Sequence, residues 1–227
     1  MMKKMVLLSV LLAFAAAASG CGSTGGDADV PQETTEAVTY FVDEDGNLYS
    51  EMPTVPTRDI QETADFEYTI EDGRALITKY TGNDADVVIP DTVEGMPVTE
   101  ISYYAFEAKY DVRSVKVPET VTLIGECAFM DCSSLEEINI PEAVTGIDRG
   151  AFVACTSLKE VTIPKNVAYI REEAFTACEG MTSLRIQNPD LEYENWGLEE
   201  LPALTVYAPA GSKAAQWADA MGKYQPM

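Results

Sequence analysis

The chain has 227 residues, of which 15 are Lys or Arg, 38 are Asp or Glu and none is His, so its formal net charge is −23. This charge argues against a nucleic-acid partner, because the phosphate backbone is bound by basic surfaces. The absence of His excludes Ser-His and Cys-His catalytic pairs, His metal ligands and a His-based pH switch.

The segment over residues 1–20 has the pattern of an export signal. Lys3 and Lys4 precede an uncharged apolar run over residues 5–18, which is shorter than the roughly 20 residues of a membrane-spanning helix. The run leads into Ala-Ser-Gly-Cys, which resembles a bacterial lipobox, and this resemblance implies that Cys21 is lipidated. A lipid on Cys21 would anchor the chain to the outer side of a bacterial membrane. The alternative is a secreted protein that is cleaved after a small residue.

Residues 21–65 are rich in Gly, Ser, Thr and acidic residues, and they lack a sustained hydrophobic period. This composition predicts a flexible acidic tether. Two short apolar runs flank the Asp-Gly pair that ends at Gly46, which favours a short hairpin over residues 40–50. The acidic spacing there suggests a calcium loop, but Gly46 is fourth in the pattern and the EF-hand loop requires Gly at the sixth position. We therefore predict no metal ion and no cofactor.

The domain over residues 66–227 begins with alternating apolar and polar residues on both sides of an Asp-Gly turn within residues 71–74. This pattern predicts a β-hairpin at the N-terminal end of the domain. Near the other end, Ser212 is a candidate helix N-cap and Gly222 a candidate helix stop. The segment between them predicts a short capping helix.

Between these two ends the sequence repeats with a 23-residue period. An Ala-Phe pair recurs at one phase, and Leu, Ile or Val recur at fixed distances after it. Such phase-locked apolar positions predict a solenoid, whose units are too small to bury their apolar faces alone and therefore stack on one another. We expect the repeated aromatic residues to be structural core; they are Phe106, Phe129, Phe152 and Phe175.

Three of these units carry a Cys three residues after the Phe. Metal ligands usually cluster at two- to four-residue spacings, so one Cys per unit favours a buried structural column over a metal site or disulfides. The members of the column are Cys132, Cys155 and Cys178. Cys127 occupies a phase that holds Tyr104, Gly150 and Glu173 in the other units, which predicts a position near the surface. Its thiol is either free or paired with another chain.

The strand core of the repeat is typified by Leu-Glu-Glu-Ile-Asn-Ile-Pro, residues 135–141. Together with the repeat period, this motif resembles the BspA-like class of leucine-rich repeats, which is found on bacterial surface proteins. The resemblance extends over about residues 66–224. It implies a β-rich solenoid with an N-terminal hairpin cap and a C-terminal capping helix, and it implies a surface binding module.

Strand alternation predicts which side chains of the repeat face outward. They lie eight and ten residues after each Phe, are polar, and would form two parallel columns. We interpret these columns as a candidate binding face made of Ser114, Lys116, Glu137, Asn139, Glu160, Thr162, Ser183 and Arg185.

The function expected from these features is that of a lipid-anchored adhesion or binding module for an extracellular protein or glycan. It would contact the membrane only through its anchor and would not be an enzyme, so no catalytic residue is predicted. One alternative is a carboxylate-dependent glycan-processing enzyme, which would use a pair such as Glu136 with Glu137 or Glu199 with Glu200. Another is a structural envelope component without a specific ligand.

Overall fold

The computed structural model describes residues 64–227 and four short strands that precede them. Strands β1 (Val6–Leu8), β2 (Tyr40–Val42) and β3 (Leu48–Tyr49) form an antiparallel sheet within a first unit, Met1–Thr57. Strands β2 and β3 occupy the stretch for which the sequence predicts a hairpin. Apart from these strands, Gln61–Glu62 and residues 64–65, the predicted export signal and tether lie outside the described residues, and so does Cys21.

The second unit, Arg58–Met227, contains sixteen further strands and one helix. In chain order these are β4 (Gln61–Glu62), β5 (Phe66–Glu71), β6 (Arg74–Tyr80), β7 (Asp86–Val88), β8 (Thr92–Val93), β9 (Met96–Ile101), β10 (Ser114–Lys116), β11 (Leu123–Ile124), β12 (Glu137–Ile138), β13 (Gly146–Ile147), β14 (Glu160–Ile163), β15 (Tyr169–Ile170), β16 (Ser183–Ile186), β17 (Glu192–Tyr193), β18 (Thr205–Ala208), α1 (Lys213–Ala220) and β19 (Tyr224–Pro226).

The predicted N-terminal hairpin is formed by β5 and β6. The central residues of its turn, Asp72 and Gly73, have φ values of 51° and 74°. Two left-handed residues in succession match the hairpin turn whose twist suits a right-handed pair of strands. Strand β6 then pairs in parallel with β9, so the hairpin forms the start of a longer sheet.

Two walls of the solenoid are parallel ladders. One runs in the order β17, β15, β13, β11, β9, β6, β5, β4, with its first five strands contributed by successive coils. In it, Ile124 pairs with Ile147, which pairs with Ile170. The other wall contains β7, β10 and β12, and then β14, β16, β18 and β19. The predicted solenoid and its repeat period are therefore confirmed.

The third wall consists of turns that are also bonded from coil to coil. The Phe106 N–H donates to the Ala128 carbonyl at 2.7 Å, and the Phe152 N–H donates to the Ala174 carbonyl at 2.8 Å. Because buried backbone groups must be paired, this ladder allows the segment around each Phe to be buried without being a strand.

Each of these turns places two residues in the left-handed region of backbone space, and seven of the eight are not Gly. A left-handed conformation costs a non-Gly residue roughly 1–2 kcal/mol, whereas each coil-to-coil hydrogen bond stabilises the turn by about 0.5–1.5 kcal/mol. The turn is therefore held by its neighbours and not by its own sequence. The left-handed positions are Tyr104, Ala108, Cys127, Asp131, Gly150, Ala154, Glu173 and Ala177.

The four repeated Phe side chains form a stacked column at the centre of the domain. Each has zero solvent exposure. Their ring centroids lie 4.8, 5.4 and 5.3 Å apart along the column, and the last two pairs are within 6° of parallel. Tyr80 of the hairpin extends the column, with its ring 5.2 Å from that of Phe106.

The cysteine column lies beside the Phe column and is also fully buried. The Cys132 thiol donates to the Phe106 carbonyl at 3.1 Å, and its counterparts in the next two coils make the same bond. Burial raises the pKa of the Cys132 and Cys178 thiols to about 12 and raises that of Cys155 as well. These thiols are neutral core groups at any physiological pH.

The predicted helix is present as α1 and closes the C-terminal end. The Ser212 hydroxyl accepts a hydrogen bond from the Ala215 N–H at 3.1 Å, which is the N-cap bond. Trp217 packs edge-on against the fully buried Trp196, with ring centroids 5.0 Å apart. No helix within the described residues is long and apolar enough to span a membrane.

Thiol labelling distinguishes Cys127 from the cysteine column. Cys127 is half-buried, and burial raises the pKa of its thiol even though a hydrogen bond with Tyr104 acts in the opposite direction. In a Cys21→Ser variant of the whole chain, we expect Cys127 to react in the native state, but more slowly than a free peptide thiol, because the thiolate is the reactive form. Labelling kinetics followed by peptide mapping measure this. Fast native labelling of the column thiols would contradict their burial.

Candidate functional site

The structure places all eight residues of the predicted binding face on the outward side of one wall. Ser114 and Lys116 lie on β10, Glu160 and Thr162 lie on β14, and the others occupy equivalent positions on or next to β12 and β16. They alternate with buried residues such as Val115. We call this outward surface the ladder face.

The ladder face is longer than the sequence predicts. At its N-terminal end, Asp86 and Val88 of β7 are in register with Ser114 and Lys116. At its C-terminal end, Tyr207 of β18 is in register with Arg185. The Arg185 guanidinium lies 4.7 Å from the centre of the Tyr207 ring, a contact in which the aromatic face attracts the cation.

The ladder is interrupted at the middle of this face. Strand β12 has only two residues, whereas β14 and β16 have four each. Within residues 64–227, β12 and β14 belong to separate sheets and do not pair. A groove of about 480 Å³ lies at this interruption, and its polar lining consists of Glu136, Glu137, Asn139, Lys159, Glu160 and Thr162.

Asn139 ends the pairing of β12 with β10. Its side-chain amide accepts from the Val117 N–H and donates to the Val117 carbonyl, both at 2.8 Å. The side chain thus takes the backbone groups that a continuing strand would have used, and the chain leaves the ladder after Ile138. Asn139 was predicted as an outward binding residue; although it is exposed, its amide is committed to the backbone of the preceding coil.

The charges around the groove are only partly compensated. Lys159 forms an ion pair with Glu136 on the rim, and this contact lowers the pKa of the Glu136 carboxyl. Glu137 and Glu160 are exposed, and within residues 64–227 neither forms an ion pair. The groove is therefore an acidic feature in an otherwise regular surface, lined by these polar side chains together with Ile138 and Ile140.

The electrostatic environment of Glu136 differs from that of a catalytic acid. A glycosidase acid needs a raised pKa, whereas the ion pair with Lys159 lowers the pKa of the Glu136 carboxyl. Asp148 does have a raised pKa because it is half-buried. It follows β13 on the other parallel wall, where the Tyr169 hydroxyl bonds to it, and it does not line the groove.

Residues 86–198 match the family model described as "BspA type Leucine rich repeat region", in six copies. A leucine-rich repeat protein of T. pallidum (TpLRR) is 26% identical with a TM-score of 0.62, and the match covers 66% of this chain and 72% of that chain. A leucine-rich repeat protein from Bacteroides capillosus ATCC 29799 is 29% identical with a TM-score of 0.50, over 66% of this chain and 99% of that chain. No protein of curated function matches the chain.

Proposed function

Because the chain belongs to the BspA-type leucine-rich repeat proteins, we propose that it is a non-catalytic binding module, lipid-anchored at Cys21 on the outer side of a bacterial membrane, which binds an extracellular protein or glycan on its ladder face. Fold alone does not fix function, so the proposal rests on the ladder face itself.

The groove between β12 and β14 is the observation that carries the proposal. A solenoid wall stabilises itself most simply by continuous pairing, as β14, β16 and β18 do. Here the wall is interrupted and leaves a cavity of about 480 Å³ with polar side chains on both sides. The face contains few large apolar groups, which suits a polar ligand held by many weak contacts more than a permanent protein interface.

The proposed location is supported by the leader and by the charge. An export signal followed by Ala-Ser-Gly-Cys gives both a route out of the cell and an attachment point at Cys21. The net charge of −23 makes the chain repel anionic membrane surfaces. We therefore propose that its contact with the membrane is limited to the lipid.

The binding function can be tested with the whole mature chain on arrays of glycans and extracellular proteins. The test variant is Glu137→Ala, Glu160→Ala, Thr162→Ala; it leaves Asn139 intact because that amide holds Val117. Surface changes usually alter stability by no more than about 0.5 kcal/mol each, so we expect the variant to fold and to lose the ligand that the parent binds.

The matched control is Glu172→Ala, Glu179→Ala, which makes the same change in net charge at exposed positions away from the ladder face. We expect the control to bind like the parent. If the test variant binds as the parent does, the site lies elsewhere. If the parent retains nothing from either array, a structural envelope role replaces the binding function.

The anchor has a separate test in the producing cell. We expect the parent chain to partition with the membrane fraction. A Cys21→Ser variant should be exported less efficiently or released, because it cannot receive the lipid that anchors by burial in the acyl layer. Fractionation with a chain-specific antibody measures this. Finding the parent only in the medium, or the variant as tightly and permanently bound as the parent, would contradict lipid anchoring.

A further inference from the structure

The centre of the ladder face carries two negative charges that no nearby cation balances. Glu137 and Glu160 occupy the same phase of neighbouring coils and line the same groove. Neither forms an ion pair within residues 64–227, and the nearby Lys159 is already paired with Glu136. Carboxylates side by side repel each other, so a cation bound between them would relieve that repulsion.

The two strands that flank this centre carry positive charges. Lys116 lies on β10, which pairs with β12, and Arg185 lies on β16, which pairs with β14. Neither forms an ion pair with a carboxylate in residues 64–227. On four successive coils the face therefore presents positive, negative, negative and positive residues. The two glutamates stand in the column of Ser114 and Ser183, and the two cations stand in the neighbouring column, two residues further along each strand.

The axial separation of Lys116 and Arg185 matches the repeat of an extended peptide. Strands in a sheet are about 4.8 Å apart, so Lys116 and Arg185, three strands apart, are separated by roughly 14 Å along the axis. An extended chain rises about 3.3 Å per residue and points alternate side chains to the same side, so side chains i and i+4 are about 13 Å apart with i+2 midway. An acidic residue at each end would meet Lys116 and Arg185. The long side chain of a basic residue between them would reach about 7 Å across, which is two residues of strand rise, to the column of the glutamates.

We propose that the groove binds an extended peptide segment of another protein with the pattern acidic–x–basic–x–acidic, whose central Lys or Arg lies between Glu137 and Glu160. This inference rests on the proposed binding function and names its ligand class. A neutral glycan gains little from such a charge pattern. Ligand pockets for small molecules are mostly lined by apolar and aromatic side chains, whereas six of the eight residues that line this groove are polar and none is aromatic.

The test measures binding of three capped peptides to the whole mature chain. The probe is Glu-Thr-Arg-Thr-Glu, the inverted peptide is Arg-Thr-Glu-Thr-Arg, and the third peptide has the composition of the probe in the order Glu-Arg-Thr-Thr-Glu. The acidic chain as a whole attracts the inverted peptide, which is cationic, more than the probe, which is anionic. Tighter binding of the probe than of the inverted peptide would therefore reflect the local charge pattern of the ladder face and not the net charge of the chain.

We expect the probe to bind most tightly, with an affinity that falls as salt is raised, because exposed charge pairs are screened. The Glu137→Gln, Glu160→Gln variant should bind the probe roughly tenfold more weakly, since it loses both partners of the central cation. The Glu172→Gln, Glu179→Gln control carries the same change in net charge and should bind it like the parent. Lys116→Ala and Arg185→Ala should each weaken binding of the probe but not that of the inverted peptide, whose terminal arginines these cations repel.

Several results would overturn the inference: equal binding of the three peptides, preference for the inverted one, or equal loss in the test and control variants. If no peptide binds but the ladder-face variant still loses a ligand found on the arrays, the inference fails and the proposed function stands. If that ligand is a glycan, the peptide assignment is wrong. If neither the peptides nor the arrays give a ligand, both proposals fail.

Discussion

Every wall of this domain depends on one constraint. Each coil must lie one strand spacing from the preceding coil, with equivalent residues of the two coils in register. The parallel ladders require this register, and so does the turn ladder, in which the Phe129 N–H donates to the Ala151 carbonyl at 2.8 Å. The constraint also produces the Phe column, because identical side chains at one phase must stack. Left-handed residues such as Tyr104 and Glu173 are stable only because the neighbouring coils hold their backbone groups.

The same constraint gives the candidate site its form. Stacked coils turn single outward residues into columns, so a charge pattern along the solenoid axis can match the repeat of another extended chain. The groove lies where the ladder stops: β12 and β14 do not pair within residues 64–227, and on the opposite edge of β12 the Asn139 side chain bonds to the Val117 backbone. The wall therefore has a distinct centre in an otherwise regular ladder.

Much of this architecture can be predicted from the sequence, because the repeat period fixes the Phe and Cys columns and the direction of the strand side chains. The ends of the ladder face could not be predicted, since Val115 pairs with Val87 and Leu184 pairs with Val206 at sequence separations that differ from the period. The bonds of Asn139 to the Val117 backbone could not be predicted either, because the sequence does not distinguish an outward Asn with a free amide from one whose amide is bonded to the backbone. Nor do residues such as Glu173 reveal a positive φ, which is imposed by stacking and not by their own preference.

The measurement that tests the stacking most directly is the free energy of unfolding of Phe152→Ala, obtained from urea denaturation of the whole mature chain. Phe152 has a coil on each side and no exposed surface, so its site cannot easily collapse, and truncation should cost about 3–5 kcal/mol. Tyr110→Ala is the matched control: its side chain is 58% exposed, and its removal should change the stability by less than about 0.5 kcal/mol. A Phe152→Ala variant as stable as the parent would contradict the in-register column on which this description of the domain depends.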